Sequence, residues 1–144
     1  MSADLQSLLA RVEAASGPDR LLDAEIEVAA RWIDAARAGL APEHRARWRV
    51  LTGLRVGAVE SQGTSYNAKP FTASVDAALA LVERVLPGWQ WDVGYLPNQP
   101  EIGFLAEIWP PGDPVNDVSG AGKTAPLAIL AALLKAKIAQ GGEA

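Results

Sequence analysis

The chain has 144 residues, a formal net charge of −4 and no cysteine. A chain of this length suits one domain that buries roughly 70% of its unfolded surface, so it needs no disulfide or metal ion to fold. The lack of cysteine excludes disulfides, thiol nucleophiles and cysteine-bound zinc, and the negative charge argues against a general attraction to nucleic acid or anionic membranes.

The N-terminal segment does not resemble a signal peptide or a membrane anchor. No basic region precedes an apolar run, and no uncharged apolar stretch reaches about 18 residues. We therefore expect a cytoplasmic protein with no membrane contact. Its single domain is expected to cover residues 1–140, followed by a disordered tail over residues 141–144.

Two amphipathic helices are predicted in the first forty residues. Apolar side chains recur at helical spacing over residues 5–12 behind a cap at Ser2, and Gly17-Pro18 interrupts the pattern. A second helix follows, with one apolar and one charged stripe. We expect the buried stripe to be Leu22, Ile26, Ala29 and Ile33, and the exposed stripe to be Asp23, Glu27, Arg31 and Asp34.

The segment 41–69 carries mixed signals. Its apolar runs are compatible with strands over residues 47–51 and 54–59, while residues 42–46 are compatible with the start of another helix. Residues 61–69 contain turn-forming side chains and little apolar surface. We predict an exposed loop there.

The stretch from residue 71 to residue 93 carries the clearest signals. Ser74, or Thr72 before it, can cap a helix whose apolar stripe ends at Pro87-Gly88. The hydrophobic period then drops from 3.6 to 2, because Trp89 and Trp91 begin an alternating pattern. A helix is therefore predicted to lead into a strand, with both tryptophans on its inward side.

The remaining third predicts a hairpin and a buried helix. Residues 101–109 alternate as a second strand, and residues 115–119 could add a short edge strand. A last helix begins at Thr124 and is apolar most of the way round, so we expect it to be heavily buried. The predicted class is α/β in the α+β sense, with a small, mainly antiparallel sheet covered by helices.

Three segments of the chain resemble the phage ABA sandwich domain family. They are ASGPDRLLDAEI (15–26), FTASVDAALALVERVLPGW (71–89) and TAPLAILAAL (124–133). The chain departs from the family pattern at residues 45–54 and 96–108. The resemblance implies an α-β-α sandwich encoded by a bacterial virus or prophage, and it implies no catalytic residues.

One motif resembles the end of a phosphate-binding P-loop. Gly120-Ala121-Gly122-Lys123-Thr124 has the terminal residues, but Asp117 occupies the place of the first glycine. Pro126 would also lie too far inside a helix that began at Gly122, whereas it suits a helix capped by Thr124. We interpret the segment as a loop followed by a helix cap.

Other candidates for chemistry are weak. His44 is the only histidine, and it lies among charged residues without a nearby serine elbow. The carboxylates of Asp23, Glu25 and Glu27 point around a helix instead of converging on a metal ion. We predict no catalytic residue, no metal and no cofactor.

A basic, tryptophan-containing patch is the candidate partner-binding surface. Residues 41–69 carry a net charge of +3 on an otherwise acidic chain. Trp48 lies among these arginines, and Trp109 precedes two prolines at a predicted rim position. The alternative is a polar strand face with its tryptophan packed inward. The candidate residues are Arg45, Arg47, Trp48, Arg49, Arg55 and Trp109.

These observations favour a non-enzymatic protein that binds a host or phage protein, with inhibition of a host defence system as one form of that activity. Nucleic acid could bind only through the basic patch. One alternative is an enzyme or small-ligand-binding protein with a site near Tyr66, Asn67, Asp117 and Lys123 at the open end of the sheet. Another is a virion or assembly component, which would require self-association.

Overall fold

The computed structural model describes residues 4–53 and 55–141. The predicted cap at Ser2, Leu54 in the second predicted strand, and residues 142–144 of the predicted tail lie outside that part of the chain. The helices are α1 (Leu5–Ala14), α2 (Arg20–Arg37), α3 (Pro42–Arg45), α4 (Val75–Val85) and α5 (Ala125–Ala139), with a 3-10 turn at Pro114–Asn116.

Within the described residues, six strands form two antiparallel sheets of three strands each. The sheet orders are β1-β2-β3 and β4-β5-β6. The strands are β1 (Trp48–Val50), β2 (Ala58–Ser61), β3 (Thr64–Asn67), β4 (Gln90–Tyr95), β5 (Phe104–Trp109) and β6 (Val118–Gly122). The predicted α+β class, with antiparallel strands covered by helices, is confirmed.

The β1-β2-β3 sheet contains residues that the sequence predicts to be an exposed loop. Residues 61–67 belong instead to a β-hairpin over residues 58–67, in which Val59 lies opposite Tyr66. Gln62 and Gly63 connect the strands with positive φ angles of 53° and 84°. Two positive φ values fit a two-residue turn of the primed type, whose twist matches that of a hairpin.

Helix α5 lies in the main core and packs on β5, β6, α1 and α4. Almost its whole length is buried, as predicted, and Thr124 caps it by accepting a hydrogen bond from the Leu127 amide at 3.4 Å. The loop predicted over residues 120–122 is instead part of β6. A Cβ atom at Gly122 would lie 2.6 Å from the Ala128 nitrogen. Gly120 and Gly122 allow the backbones of β6 and α5 to touch. Close packing therefore explains why glycine occupies these positions, and phosphate binding is not needed to explain it.

Helix α2 separates the main core from the β1-β2-β3 sheet. Leu22, Ile26 and Ile33 belong to the main core, whereas Ala24 packs in a second cluster with Val59 of the small sheet. Because α2 buries two opposite faces, the prediction of an exposed charged stripe is wrong in part. The residues Asp23 and Glu27 are 0% and 3% exposed, respectively, so both carboxylates are buried.

The predicted helix and the strand that follows it are confirmed as α4 and β4, but Trp91 in β4 is more exposed than predicted. Ser74 caps α4 by accepting a hydrogen bond from the Ala77 amide at 3.1 Å, and β4 follows at Gln90. Trp89 packs against the main core. Trp91 is 48% exposed, because β4 is an edge strand and α5 covers chiefly β5 and β6.

Candidate partner-binding groove

The structure distributes the six predicted partner-binding residues over several surfaces. Arg45 is the last residue of α3. Arg47 lies two residues further on, and its Nη2 atom is 2.6 Å from Nδ1 of His44. Arg49 lies in β1 between Trp48 and Val50, which face the second apolar cluster. The arginine side chain at that position is therefore on the opposite, outer face of the sheet.

Two of the four arginines bind side chains of their own sheet. Arg49 donates from Nε to Glu60 Oε1 at 2.7 Å. Arg55 donates to Ser65 Oγ at 2.9 Å and to Asn67 Oδ1 at 2.6 Å. The Glu60 carboxylate offsets the charge of Arg49, whereas the neutral Ser65 and Asn67 orient the Arg55 guanidinium without neutralising it.

Trp109 belongs to a different surface. It is half-buried on β5, in the β4-β5-β6 sheet, and its indole nitrogen donates to Gln90 Oε1 at 2.9 Å. The register pairs these two residues directly across the strands. Trp109 therefore does not join Trp48 in one site.

A groove of about 490 Å³ lies beside β1, and we call it the α1–β1 groove. Helix α2 contributes its floor, the N-terminal turns of α1 form one side, and β1 forms the other. The principal lining residues are Ser7 and Leu8 of α1, Val28, Ala29 and Trp32 of α2, and Trp48, Arg49 and Val50 of β1. Trp48 and Arg49 are thus the two predicted residues that the structure places in a groove.

The β1 side of the groove carries main-chain hydrogen-bonding groups. Strand β1 is at the edge of its sheet. The Leu51 amide donates to the Ala58 carbonyl at 2.9 Å, and the same register pairs Arg49 with Glu60. Because hydrogen-bonding direction alternates along an antiparallel strand, the N–H and C=O groups of Trp48 and Val50 point away from β2 to the free edge.

Trp32 lies on the groove floor, and no sequence motif marks it as a site residue. Its indole N–H is buried and has no acceptor within the described ranges 4–53 and 55–141. A buried donor without a partner costs about 1–3 kcal/mol. The available sequence signal was a tryptophan immediately before the buried stripe residue Ile33 on an otherwise amphipathic helix.

The charged groups around the groove are already paired. Arg11 of α1 binds Glu25 of α2, and this hydrogen bond raises the pKa of Arg11. Asp4 accepts the Ser7 amide at 3.0 Å as the cap of α1. With Arg49 bound to Glu60 as well, the groove offers apolar surface and main-chain groups more than net charge.

A buried ionic cluster on α2 has a structural role. Asp23 accepts hydrogen bonds from the Thr72 amide at 2.7 Å, from the Thr72 hydroxyl at 2.8 Å and from Arg20 at 2.7 Å. Arg20 also donates to the Ala68 carbonyl at 2.7 Å. These bonds fasten α2 to the segment that leads into α4.

A second part of the cluster joins α2 to β3 and α4. Glu27 accepts from Arg31 at 2.7 Å, from the Tyr66 hydroxyl at 2.8 Å and from Arg84 at 3.2 Å. Arg84 also donates to Asp34 at 2.8 Å. Burial and the bond to Glu27 raise the pKa of Tyr66. Because these carboxylates are held by cationic and hydroxyl donors, we assign the cluster to stability.

The structure does not bring together the four residues of the alternative ligand site. Tyr66 and Asn67 lie on β3, whereas Asp117 and Lys123 flank opposite ends of β6 in the other sheet.

A further groove of about 490 Å³ runs along α4 and includes Arg84. The guanidinium of Arg84 already donates hydrogen bonds to Glu27 and Asp34.

Within the part of the chain that the structure describes, no group of three or more histidine and acidic side chains is placed to hold a metal ion. None of the helices described is both long and apolar enough to cross a membrane.

Comparison with known proteins gives one similar structure. No family model matches this chain, and no curated protein matches it. A phage protein from Bacillus cereus ATCC 14579 is similar in structure, with a TM-score of 0.44 and 13% sequence identity over 73% of this chain and 87% of that chain. This similarity is too low to carry a conclusion about function.

Proposed function

We propose that this protein is a non-enzymatic binding domain of the phage ABA sandwich kind, encoded by a phage or prophage. It acts in the cytoplasm of the bacterial host by docking on a host or phage protein, and inhibition of a host defence system is one form of that activity. The observation that carries the proposal is the α1–β1 groove, where the free edge of β1 adjoins Trp32 and Trp48.

The groove suits an extended segment of the partner protein. Such a segment would pair with β1 as an additional strand and bond to the main-chain groups of Trp48 and Val50. Its alternate side chains would pack on Val28 and Trp32.

The contacts of the arginines favour protein over nucleic acid as the partner. A phosphate-tracking surface needs several cations free to release counterions. Arg49 is instead paired with Glu60, and the guanidinium of Arg55 is directed at the polar side chains of β3. An apolar groove rimmed by paired charges is typical of a protein-recognition site.

A selection of displayed random peptides against the immobilised protein tests this function. We expect enriched peptides to carry apolar residues at alternate positions, because an added strand presents every second side chain to the groove. Trp48→Ala removes an aromatic contact, and Val50→Pro removes an outward N–H without removing a bond to β2. Each should weaken peptide binding about tenfold or more, measured by calorimetry.

Trp109→Ala is the matched control, since it removes an equally large side chain from the other sheet. It should leave the affinity unchanged. A bacterial lysate should likewise give a stoichiometric partner with the wild-type protein and the control, and not with Trp48→Ala. Peptides that bind all variants equally, or the lack of any partner across several hosts, would contradict the proposal.

A further inference from the structure

The outer face of β1 carries a cation beside the free edge of the strand. The side chain of Arg49 lies on this face and is 75% exposed, whereas its partner Glu60 on β2 is 24% exposed. One carboxylate oxygen of Glu60 accepts from both Nε and Nη2 of Arg49. The Nη1 atom donates to no acceptor in the described part of the chain, so the planar guanidinium can bind a second carboxylate.

A second cation lies where the chain enters β1. Arg47 is exposed, precedes Arg49 by two residues and contacts Nδ1 of His44. Over residues 4–53 and 55–141, none of the ion pairs includes Arg47. The chain therefore presents positive charge along β1 although its net charge is −4.

The groove side of the same edge has the opposite preference. Asp4 and Glu25 line the α1–β1 groove together with the apolar side chains of Val28 and Trp32. A carboxylate brought into the groove would meet like charges and would lose hydration against the apolar floor. The two faces of the β1 edge therefore favour different classes of side chain in a bound segment.

We propose that the partner segment that adds to β1 alternates apolar and acidic residues. This inference rests on the proposed function, because it specifies the chemistry of the segment that binds at the same edge. Side chains of a strand alternate between its two faces. The residues beside Trp48 and Val50 therefore enter the groove, and the residue between them lies beside Arg49 on the outer face. That residue is aspartate or glutamate, and so is the next outward residue, two positions along towards Arg47.

The acidic residue completes a row of alternating charge across three strands. Glu60, Arg49 and the partner carboxylate follow one another on the outer face, with neighbouring strands about 4.8 Å apart. Opposite charges directly across neighbouring strands stabilise the pairing. The two carboxylates are two strand spacings apart, which is roughly one Debye length at 0.1 M salt, so their mutual repulsion is largely screened.

Calorimetry with peptides from the displayed-peptide selection tests this inference without changing the protein. The residue between the two apolar anchors of a bound peptide is made glutamate, glutamine or lysine. We expect glutamine to weaken binding about twofold to fivefold relative to glutamate, and lysine about tenfold. These differences should shrink at 1 M salt, where the Debye length is about 3 Å.

Substitutions in the protein provide the reciprocal test. Arg49→Glu should invert the order, so that the lysine peptide binds more tightly than the glutamate peptide. Arg47→Glu breaks no ion pair and should weaken peptides with a second outward acidic residue about threefold. Arg55→Glu is the matched control, because it makes the same charge change beside β3, two strands away from β1. It should leave the affinity unchanged, and circular dichroism verifies that each variant is folded.

The possible results separate this inference from the proposed function. Peptides that require Trp48 but bind equally well with glutamate, glutamine or lysine would overturn the inference and leave the proposed function in place. A protein that binds no peptide would overturn both. Displacement of the acidic peptide by a single-stranded oligonucleotide of equal charge would also overturn the inference, because it would indicate a general anion site.

Discussion

Asp23 shows how one buried carboxylate holds α2 to the segment that precedes α4. It accepts two hydrogen bonds from Thr72, which is 1% exposed, and one from Arg20. The Arg20 side chain is 40% exposed and can be hydrated again when its partner is removed. The main loss on removing Asp23 therefore comes from the buried amide and hydroxyl of Thr72.

We expect Asp23→Ala to lower the free energy of unfolding by about 2–3 kcal/mol, because it leaves buried donors without an acceptor. Urea denaturation measures this change. Glu25→Ala is the control on the same helix, since the pair of Glu25 with Arg11 is about one third exposed and should contribute at most about 1 kcal/mol. Equal effects of the two substitutions would show that burial of Asp23 is not what matters.

Glu107, on the outer face of the β4-β5-β6 sheet, has other carboxylates as neighbours, whereas Asp23 is surrounded by hydrogen-bond donors. Its hydrogen bond with Asp117, with smaller contributions from burial and from the charges of Asp117 and Asp92, raises the pKa of Glu107. A carboxyl group whose pKa is raised by folding binds its proton more tightly in the folded state. Its contribution to stability is present below the ordinary glutamate pKa and is lost as the pH rises through the raised value.

Glu107→Gln should therefore raise the melting temperature relative to the wild-type protein at pH 7 and not at pH 3. The difference should develop as the pH rises from about 4, where glutamate ordinarily ionises. Thermal unfolding at a series of pH values provides the measurement. A difference of the same size at all pH values would indicate a packing effect of the substitution.

At the scale of elements, the contact between β6 and α5 depends on glycine. A Cβ atom at Gly120 would collide with the Ala132 nitrogen and lie 2.7 Å from the carbonyl carbon of Ala131. Backbone atoms in a helix cannot rotate away as a flexible side chain can. Strand and helix would have to separate, which weakens the packing of the most buried helix.

Gly120→Ala is expected to lower the free energy of unfolding by about 1–3 kcal/mol, as overpacking does in other cores. Gly94→Ala is the matched strand substitution, and it should stabilise the protein by roughly 0.5–1 kcal/mol because nothing obstructs its Cβ atom. Denaturant titration of both variants tests the contrast. Similar destabilisation by the two substitutions would argue against the close approach of β6 and α5.

Local patterns predicted the elements whose signals do not depend on distant residues. The cap at Ser74, the apolar stripe of α4 and the change of period before β4 are all encoded within about twenty residues of one another. The hairpin over residues 58–67 was missed because its outer face is polar and its turn, Gln62-Gly63, is not a common hairpin dipeptide. Its stability depends on packing Val59 and Tyr66 against α2.

At the scale of the whole molecule, the sequence predicted single residues of the groove and not the groove itself. Trp48 and Arg49 were selected for their chemistry, but their neighbours on α1 and α2 are separated from them by many residues. The free edge of β1 follows from the sheet order, which periodicity alone cannot give. Trp109 was grouped with these residues by type, and the structure places it in the other sheet.

Helix α5 also has a consequence for synthesis of the protein. It follows α1, α4 and β4 to β6 in the chain, and all of these pack on it. The apolar surfaces of the earlier elements therefore stay uncovered on the ribosome until residue 139 has emerged from the exit tunnel. During that interval we expect chaperones to bind the exposed apolar surface, and the long separation between α1 and α5 is expected to slow the final packing step.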